Sequence, residues 1–140
     1  MIFNSTDIDY LNNFSKNTLI ENLGIVYTEI GDDWLEAKME VCEKTIHPFG
    51  ALHGGASLAL AETIGGTASA LTIDREKFFA SGVEINGNHL KPVKEGFVTA
   101  RATILHKGER THVWEIRITD DYDNLISICR LTNIILKIEK

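Results

Sequence analysis

Between Gly54 and Leu71 the chain is built almost entirely from Gly, Ala, Ser and Thr, with Leu58, Leu60, Ile64 and Leu71 as its only large apolar residues. Glycine in a helix interior costs about 1 kcal/mol relative to alanine, so such a stretch gains little from intrinsic propensity. What it gains is slenderness, which lets other elements approach closely on all sides. It is apolar all round yet too short to span a bilayer, and it reads as a central buried helix. One residue contradicts a core assignment, and that is Glu62. Its helical neighbours at three and four positions are Leu58, Ala59, Gly65 and Gly66, none of which can neutralise it. Burial there predicts a raised carboxyl pKa, the direction a general base or switchable nucleophile requires. The plainer alternative is a carboxylate at a helix surface or in a structural ion pair.

The turn before this helix favours the chemical reading. His53-Gly54-Gly55 sets paired glycines at a helix start, where backbone N–H groups have no internal acceptor. Such groups suit a polarised carbonyl or a developing oxyanion. Glu62 follows about two turns later, roughly a dozen ångströms further along the axis. One chain therefore does not bring its own N–H groups and its own Glu62 onto one carbonyl. A second copy of the subunit is expected to complete the site.

The remaining composition excludes several classes. A chain of 140 residues is read as one domain, 1–140, able to bury a real core. A net charge of -6 argues against a general nucleic-acid surface. The amino end has no basic region followed by an apolar run, and no segment is a plausible membrane span. Cys42 and Cys129 lie in predicted strands without CxxC spacing, read as buried thiols in a reducing cytoplasm. Five histidines form no HExxH or close ligand pair, so no metal or other cofactor is expected. Ser57 lacks the GxSxG context of a serine hydrolase.

Periodicity places the other elements. Thr6 to Asp9 resembles a helix start, with Ile8, Leu11 and Phe14 at helical spacing and an end predicted near Ile20. Ile25 to Ile30 is a short strand. Leu35, Ala37, Met39 and Val41 alternate with Glu36, Lys38 and Glu40 in the next. After the helix and the charged turn Asp74 to Lys77, a strand puts Val83, Ile85, Gly87 and His89 on one face. Val98 to His106 and Thr111 to Thr119 read as a hairpin, with His112, Trp114, Ile116 and Ile118 on one face of its second arm. Leu125 to Ile138 is a last strand long enough to need a bulge or bend.

The run His47 to Glu62, with Gly82 to Asn86, Asn88-His89 and the Lys107 to Arg110 turn, resembles the hotdog-fold acyl-CoA thioesterases. The likeness is to the PaaI-like branch of aryl-CoA and 1,4-dihydroxy-2-naphthoyl-CoA hydrolases. It covers nearly the whole chain from about Gly24, and Pro-Phe-Gly-x-Leu-His-Gly-Gly-Ala-x-x-x-Leu-Ala-Glu is its specific part. The resemblance implies an α+β hotdog fold: a long central helix wrapped by a curled antiparallel sheet of about six strands, with a short N-terminal helix. It also implies active sites at a dimer interface, within a homotetramer.

By position, Glu62 matches the family's catalytic carboxylate and Gly54 the residue whose N–H polarises the thioester carbonyl. His53 matches a histidine that positions the thioester and leaving thiol, and His89 one near the acyl group. The family usually has Gln where His47 stands, a side chain that binds the thioester carbonyl or orients water, and His47 is expected to donate a similar hydrogen bond in catalysis. Aryl-CoA members often carry Ser or Thr, orienting the attacking water, at the position of Gly66, with Thr67 next in line here. Phe49, Gly55, Val83 and Glu84 complete the expected substrate-binding set, and Arg110, Lys107 and Lys91 are candidates for CoA phosphates. The rivals are a hotdog dehydratase, whose usual loop differs from His47-Pro48-Phe49-Gly50, and a non-enzymatic acyl-CoA sensor or binding protein.

Overall fold

The alternation around Ala37 is realised as a strand whose apolar face lies against the small-residue helix. The computed structural model describes residues 1–140 as α1 (Ile8–Phe14), α2 (Leu19–Asn22), β1 (Val26–Ile30), β2 (Trp34–Glu40), α3 (Gly54–Thr72), β3 (Phe78–His89), β4 (Phe97–Lys107), β5 (Thr111–Thr119) and β6 (Leu125–Lys137). The strands form one six-stranded sheet in the order β1-β2-β4-β5-β6-β3, antiparallel at every pairing. After β2 the chain leaves the sheet as α3 and returns to it as an edge strand. The curled sheet wraps α3, which touches β2 through β6. This is the hotdog fold.

Burial follows the pattern. Leu35, Ala37 and Met39 of β2 and Trp114, Ile116 and Ile118 of β5 have no exposed surface, and they face Leu60, Ala61, Ile64 and Ala68 of α3, which have none either. Fully burying a large apolar side chain stabilises by about 1.5–3 kcal/mol, so this layer is where α3 recovers what its glycines cost. Gly65 shows why they are there. A Cβ at that position would lie 2.6 Å from Leu131 Cδ2, so the helix rests flush on β6 only without one.

Four expectations are corrected. The first helix ends at Phe14 rather than near Ile20, because the Ser15 hydroxyl donates to the Leu11 carbonyl, Asn17 takes a positive φ of 62°, and Thr18 caps a new helix. The strand carrying His89 begins at Phe78, and its alternation breaks at Val83, the extra residue of a bulge between Gly82 and Glu84. Cys42 lies in the turn after β2, not in a strand. Finally, α3 is not enclosed all round: Glu62 and Gly55 are exposed on one open stripe of the helix. The bend foreseen in β6 is present, with Ile126 as the extra residue opposite Ile118 and Thr119.

Candidate active site

The loop before α3 is tied down on both sides of the glycines. Ile46 and Leu52 form an isolated bridge, His47 N–H donates to the Ala51 carbonyl at 2.9 Å, and His53 N–H donates to the Thr45 carbonyl at 2.8 Å. His53 caps the helix: its Nδ1 accepts from Gly55 N–H at 2.8 Å, which leaves the ring proton on Nε2. Of the two glycine N–H groups expected to be free, Gly55 is therefore engaged. Gly54 N–H donates to no group of the protein.

His89, the last residue of β3, lies directly on Gly54. A Cβ there would come within 2.7 Å of His89 Nε2, so only glycine permits this approach. The other ring nitrogen, Nδ1, is held by Ser127 Oγ at 2.7 Å. A cleft of about 320 Å³ joins His47, Gly54, Ser57, His89 and Lys91. His47 keeps its orientation through Nδ1, which accepts from Phe49 N–H at 3.1 Å, and through edge-on contact with the Phe49 ring at 5.9 Å. Phe49 is 93% exposed at the loop tip, outside the cleft.

Glu62 does not share this cleft. Its Oε1 lies over Gly82, 2.7 Å from where a Cβ on that glycine would stand. The burial expected to desolvate it is not supplied by one chain, because it points from the open stripe of α3. On the same stripe Gly66 faces open space, with nothing within 4 Å of a Cβ built on it. Thr67 Oγ1 is hydrogen-bonded to the Tyr27 hydroxyl at 2.7 Å, beside a mainly apolar pocket of about 170 Å³ under α1 lined by Tyr10, Phe14 and Ala70. Burial pushes the Tyr27 phenol pKa up, opposed by the bond to Thr67.

The residues proposed for CoA are split. Lys91 lines the cleft by His89, whereas Lys107 and Arg110 sit at the β4–β5 turn, where the Arg110 carbonyl accepts from Ile135 N–H beside the start of β3. The twelve residues of β3 separate the two ends by roughly 36 Å at ~3.3 Å per residue. The three cations thus form no single site within one chain. Val83 is exposed in its bulge, and the Glu84 carboxylate accepts from the Asn86 side-chain amide at 3.0 and 3.1 Å on the outer side of β3. No group of three or more His, Cys, Asp or Glu side chains is placed to hold a metal ion, and no helix is long and apolar enough to cross a membrane. Cys129 is buried, which pushes its thiol up to about 11.

Sequence reasoning missed Ser127 and Tyr27, and it placed Gly82 in the resemblance without its contact to Glu62. Each acts on a foreseen residue across a strand pairing or a helix contact.

Residues 49–127 match the thioesterase superfamily. A protein of Pasteurella multocida, provisionally named an esterase, is 52% identical over 125 residues, covering 89% of each chain. Among solved structures, a mutant thioesterase of Pseudomonas aeruginosa superposes with a TM-score of 0.97 at 40% identity, over 99% of this chain and all of that one. A thioesterase of Staphylococcus aureus, solved separately with a glutamine and with a glutamate replaced by alanine, superposes at a TM-score of 0.81 and 44% identity in the first form, over 84% of this chain and 97% of that one. In fold, in matched residues and in its relatives, the chain belongs to the thioesterase superfamily, and its chemistry is thioester hydrolysis.

Proposed function

We propose that the protein hydrolyses an acyl-CoA thioester to the free acid and CoA, at a site completed by a second copy of the chain. The observation that carries this reading is Gly54. Its N–H is unpaired, lies at the positive end of α3 and opens into the same cleft as His47 and His89. A thioester oxygen gains charge there as its carbon becomes tetrahedral, and one such donor is worth about 2.7–4 kcal/mol in the transition state. Glu62 acts on the carbonyl carbon, directly or through water, and the departing thiolate takes up a proton.

The outer edge of β3 pairs with no strand of its own chain. Two copies joined along it, antiparallel about Asn86, would set Gly82 of one across from His89 of the other, with the extra residue Val83 outside the register. Gly82 lies against Glu62 and His89 against Gly54. Each carboxylate would then face the free N–H of the other copy. The same pairing carries the Lys107 to Arg110 turn of one copy toward Lys91 of the other, collecting the cations for CoA phosphates. Two such dimers make the tetramer the resemblance implies. The two free cysteines suit a cytoplasmic setting.

The pocket under α1 is our candidate for the acyl group, reached from Glu62 past the open side of Gly66. At about 170 Å³ it is smaller than the roughly 300–1,000 Å³ of whole-ligand pockets. At ~30 Å³ per water-sized group it admits about six non-hydrogen atoms. Stacked Tyr10 and Phe14, 5.6 Å apart, favour an aromatic ring there, as in the aryl-CoA hydrolases of the PaaI-like branch. The assignment of His47 and Glu62 gains support from the Staphylococcus aureus relative, whose replaced glutamine and glutamate are fifteen residues apart, the separation of these two residues here.

The test is thiol release from a panel of aromatic and aliphatic acyl-CoAs by the wild type and by Glu62→Gln. Loss of a general base lowers turnover by about 10²–10⁴-fold, and that collapse in a folded variant is expected. Undiminished turnover would remove Glu62 from the chemistry. Saturable acyl-CoA binding without turnover in the wild type would make the protein a sensor or carrier.

A further inference from the structure

Asn133, on β6, is the one buried side chain whose polar inventory does not close. Its Nδ2 donates to the Gly65 carbonyl at 3.2 Å and to Ser69 Oγ at 2.8 Å, which uses both amide hydrogens. The Gly65 carbonyl can only accept, so the amide cannot be turned over without setting two carbonyl oxygens against each other. Its Oδ1 is thereby aimed away from Ser69, buried, and receives no hydrogen bond from the protein. Gly82 is directly opposite Asn133 in the β3–β6 ladder. The point its Cβ would occupy is 3.6 Å from Asn133 Oδ1 and 2.7 Å from Glu62 Oε1. Two acceptors converge over one glycine. They cannot bond each other, and bridging them takes a molecule that carries two donors, such as water.

We propose that Asn133 positions the water that Glu62 activates. The inference rests on the hydrolytic reading above and gives Glu62 the general-base role within it. One O–H of the water is held by Asn133 Oδ1 and the other by the Glu62 carboxylate. The oxygen lone pair then faces the open stripe of α3, where the thioester carbonyl comes to lie. As the C–O bond forms, Glu62 takes the proton; as the C–S bond breaks, the sulfur keeps the electron pair and receives that proton from Glu62. Asn133 stays neutral throughout. It supplies from β6 the orientation that a hydroxyl at position 66 supplies in the aryl-CoA hydrolases the sequence resembles, and position 66 here is Gly.

The test compares wild type, Asn133→Leu, and Asn133→Leu combined with Gly66→Ser, which has open space for its hydroxyl. Misplacement of the water predicts a fall in kcat of about 10- to 100-fold in Asn133→Leu with KM within about threefold, and recovery of most of that loss when the serine is added. Full turnover by Asn133→Leu, or a loss the serine leaves untouched, would overturn the proposal. Should that variant not fold, a high-resolution crystal structure of the wild type decides: a water bonded to both Asn133 Oδ1 and Glu62 supports the proposal, and an amide with Nδ2 toward Glu62 sinks it. A wild type that releases no thiol from any acyl-CoA would remove the hydrolytic reading itself, a different outcome from full turnover in Asn133→Leu.

Discussion

Replacing Ser69 with alanine should destabilise this protein far more than the loss of one oxygen atom suggests. Ser69 Oγ accepts from Trp114 Nε1 at 2.8 Å and from Asn133 Nδ2 at 2.8 Å, and its own O–H is left to donate to His112 Nδ1 at 3.0 Å. All four residues are buried. Alanine is nearly isosteric, so the cavity contribution is small and the cost is one of unmet hydrogen bonds. Asn133 retains the Gly65 carbonyl, but Trp114 Nε1 and His112 Nδ1 lose the only side-chain partner they have. Each orphaned buried group costs about 1–3 kcal/mol, giving about 2–6 kcal/mol for the pair. Against a native stability of about 5–15 kcal/mol, that is a large share. Urea unfolding at slightly alkaline pH, where the His112 imidazole is neutral, measures it as a lower midpoint at unchanged slope. A loss below about 1 kcal/mol would refute the reasoning, since it would mean that the network contributes only its average hydrogen-bond worth.

Two further outcomes are expected. Burial, with Lys107 nearby, holds the His112 imidazole below 6.5, opposed by a bond with the Gly108 backbone, so the unfolded chain takes up a proton first as pH falls through 6.5. Stability should be flat above that pH on this account and decline below it, and His112→Gln should flatten the decline in urea midpoints between pH 7.5 and 5.5; an unchanged slope would clear His112. Gly54→Ala should lower kcat/KM by about 10- to 100-fold with stability changed by less than about 1 kcal/mol, because the new Cβ drives the His89 ring off its seat while the first helical position tolerates alanine. Retained activity would show that the His89–Gly54 contact is not needed.

Local periodicity carried most of the fold. The alternation of β2 and β5 and the poverty of bulk in α3 are each readable within one segment, whereas the wrapping of the sheet around the helix is what the family resemblance implies. The apolar spacing that Ile20 continues predicts too long a first helix; the Ser15 hydroxyl and the positive φ of Asn17 override it. The apolar sequence neighbours of Glu62 predict burial, yet it stands on the exposed stripe of α3, over Gly82. Of the three cations expected for CoA, Lys107 and Arg110 share one turn, and only the topology sets Lys91 at the opposite end of β3 from them. Ser127 and Asn133 become visible through register, since His89 pairs with Ser127 and Gly82 with Asn133.

The glycines of α3 also bear on how the molecule assembles. Four of its nineteen residues are Gly, so the isolated segment has little tendency to coil and waits for the sheet to receive it. Yet β2 and β4, its flanking neighbours in the sheet, are separated in sequence by the whole of α3 and β3, and their pairing must close that long loop first. Collapse therefore starts in the β4–β5–β6 meander, whose contacts are local, and the helix bearing Glu62 and Gly54 becomes rigid late. In refolding experiments at chain concentrations where pairing of two copies is not limiting, recovery of thioester turnover should trail the recovery of sheet signal, making enzymatic activity a reporter of the last step of folding.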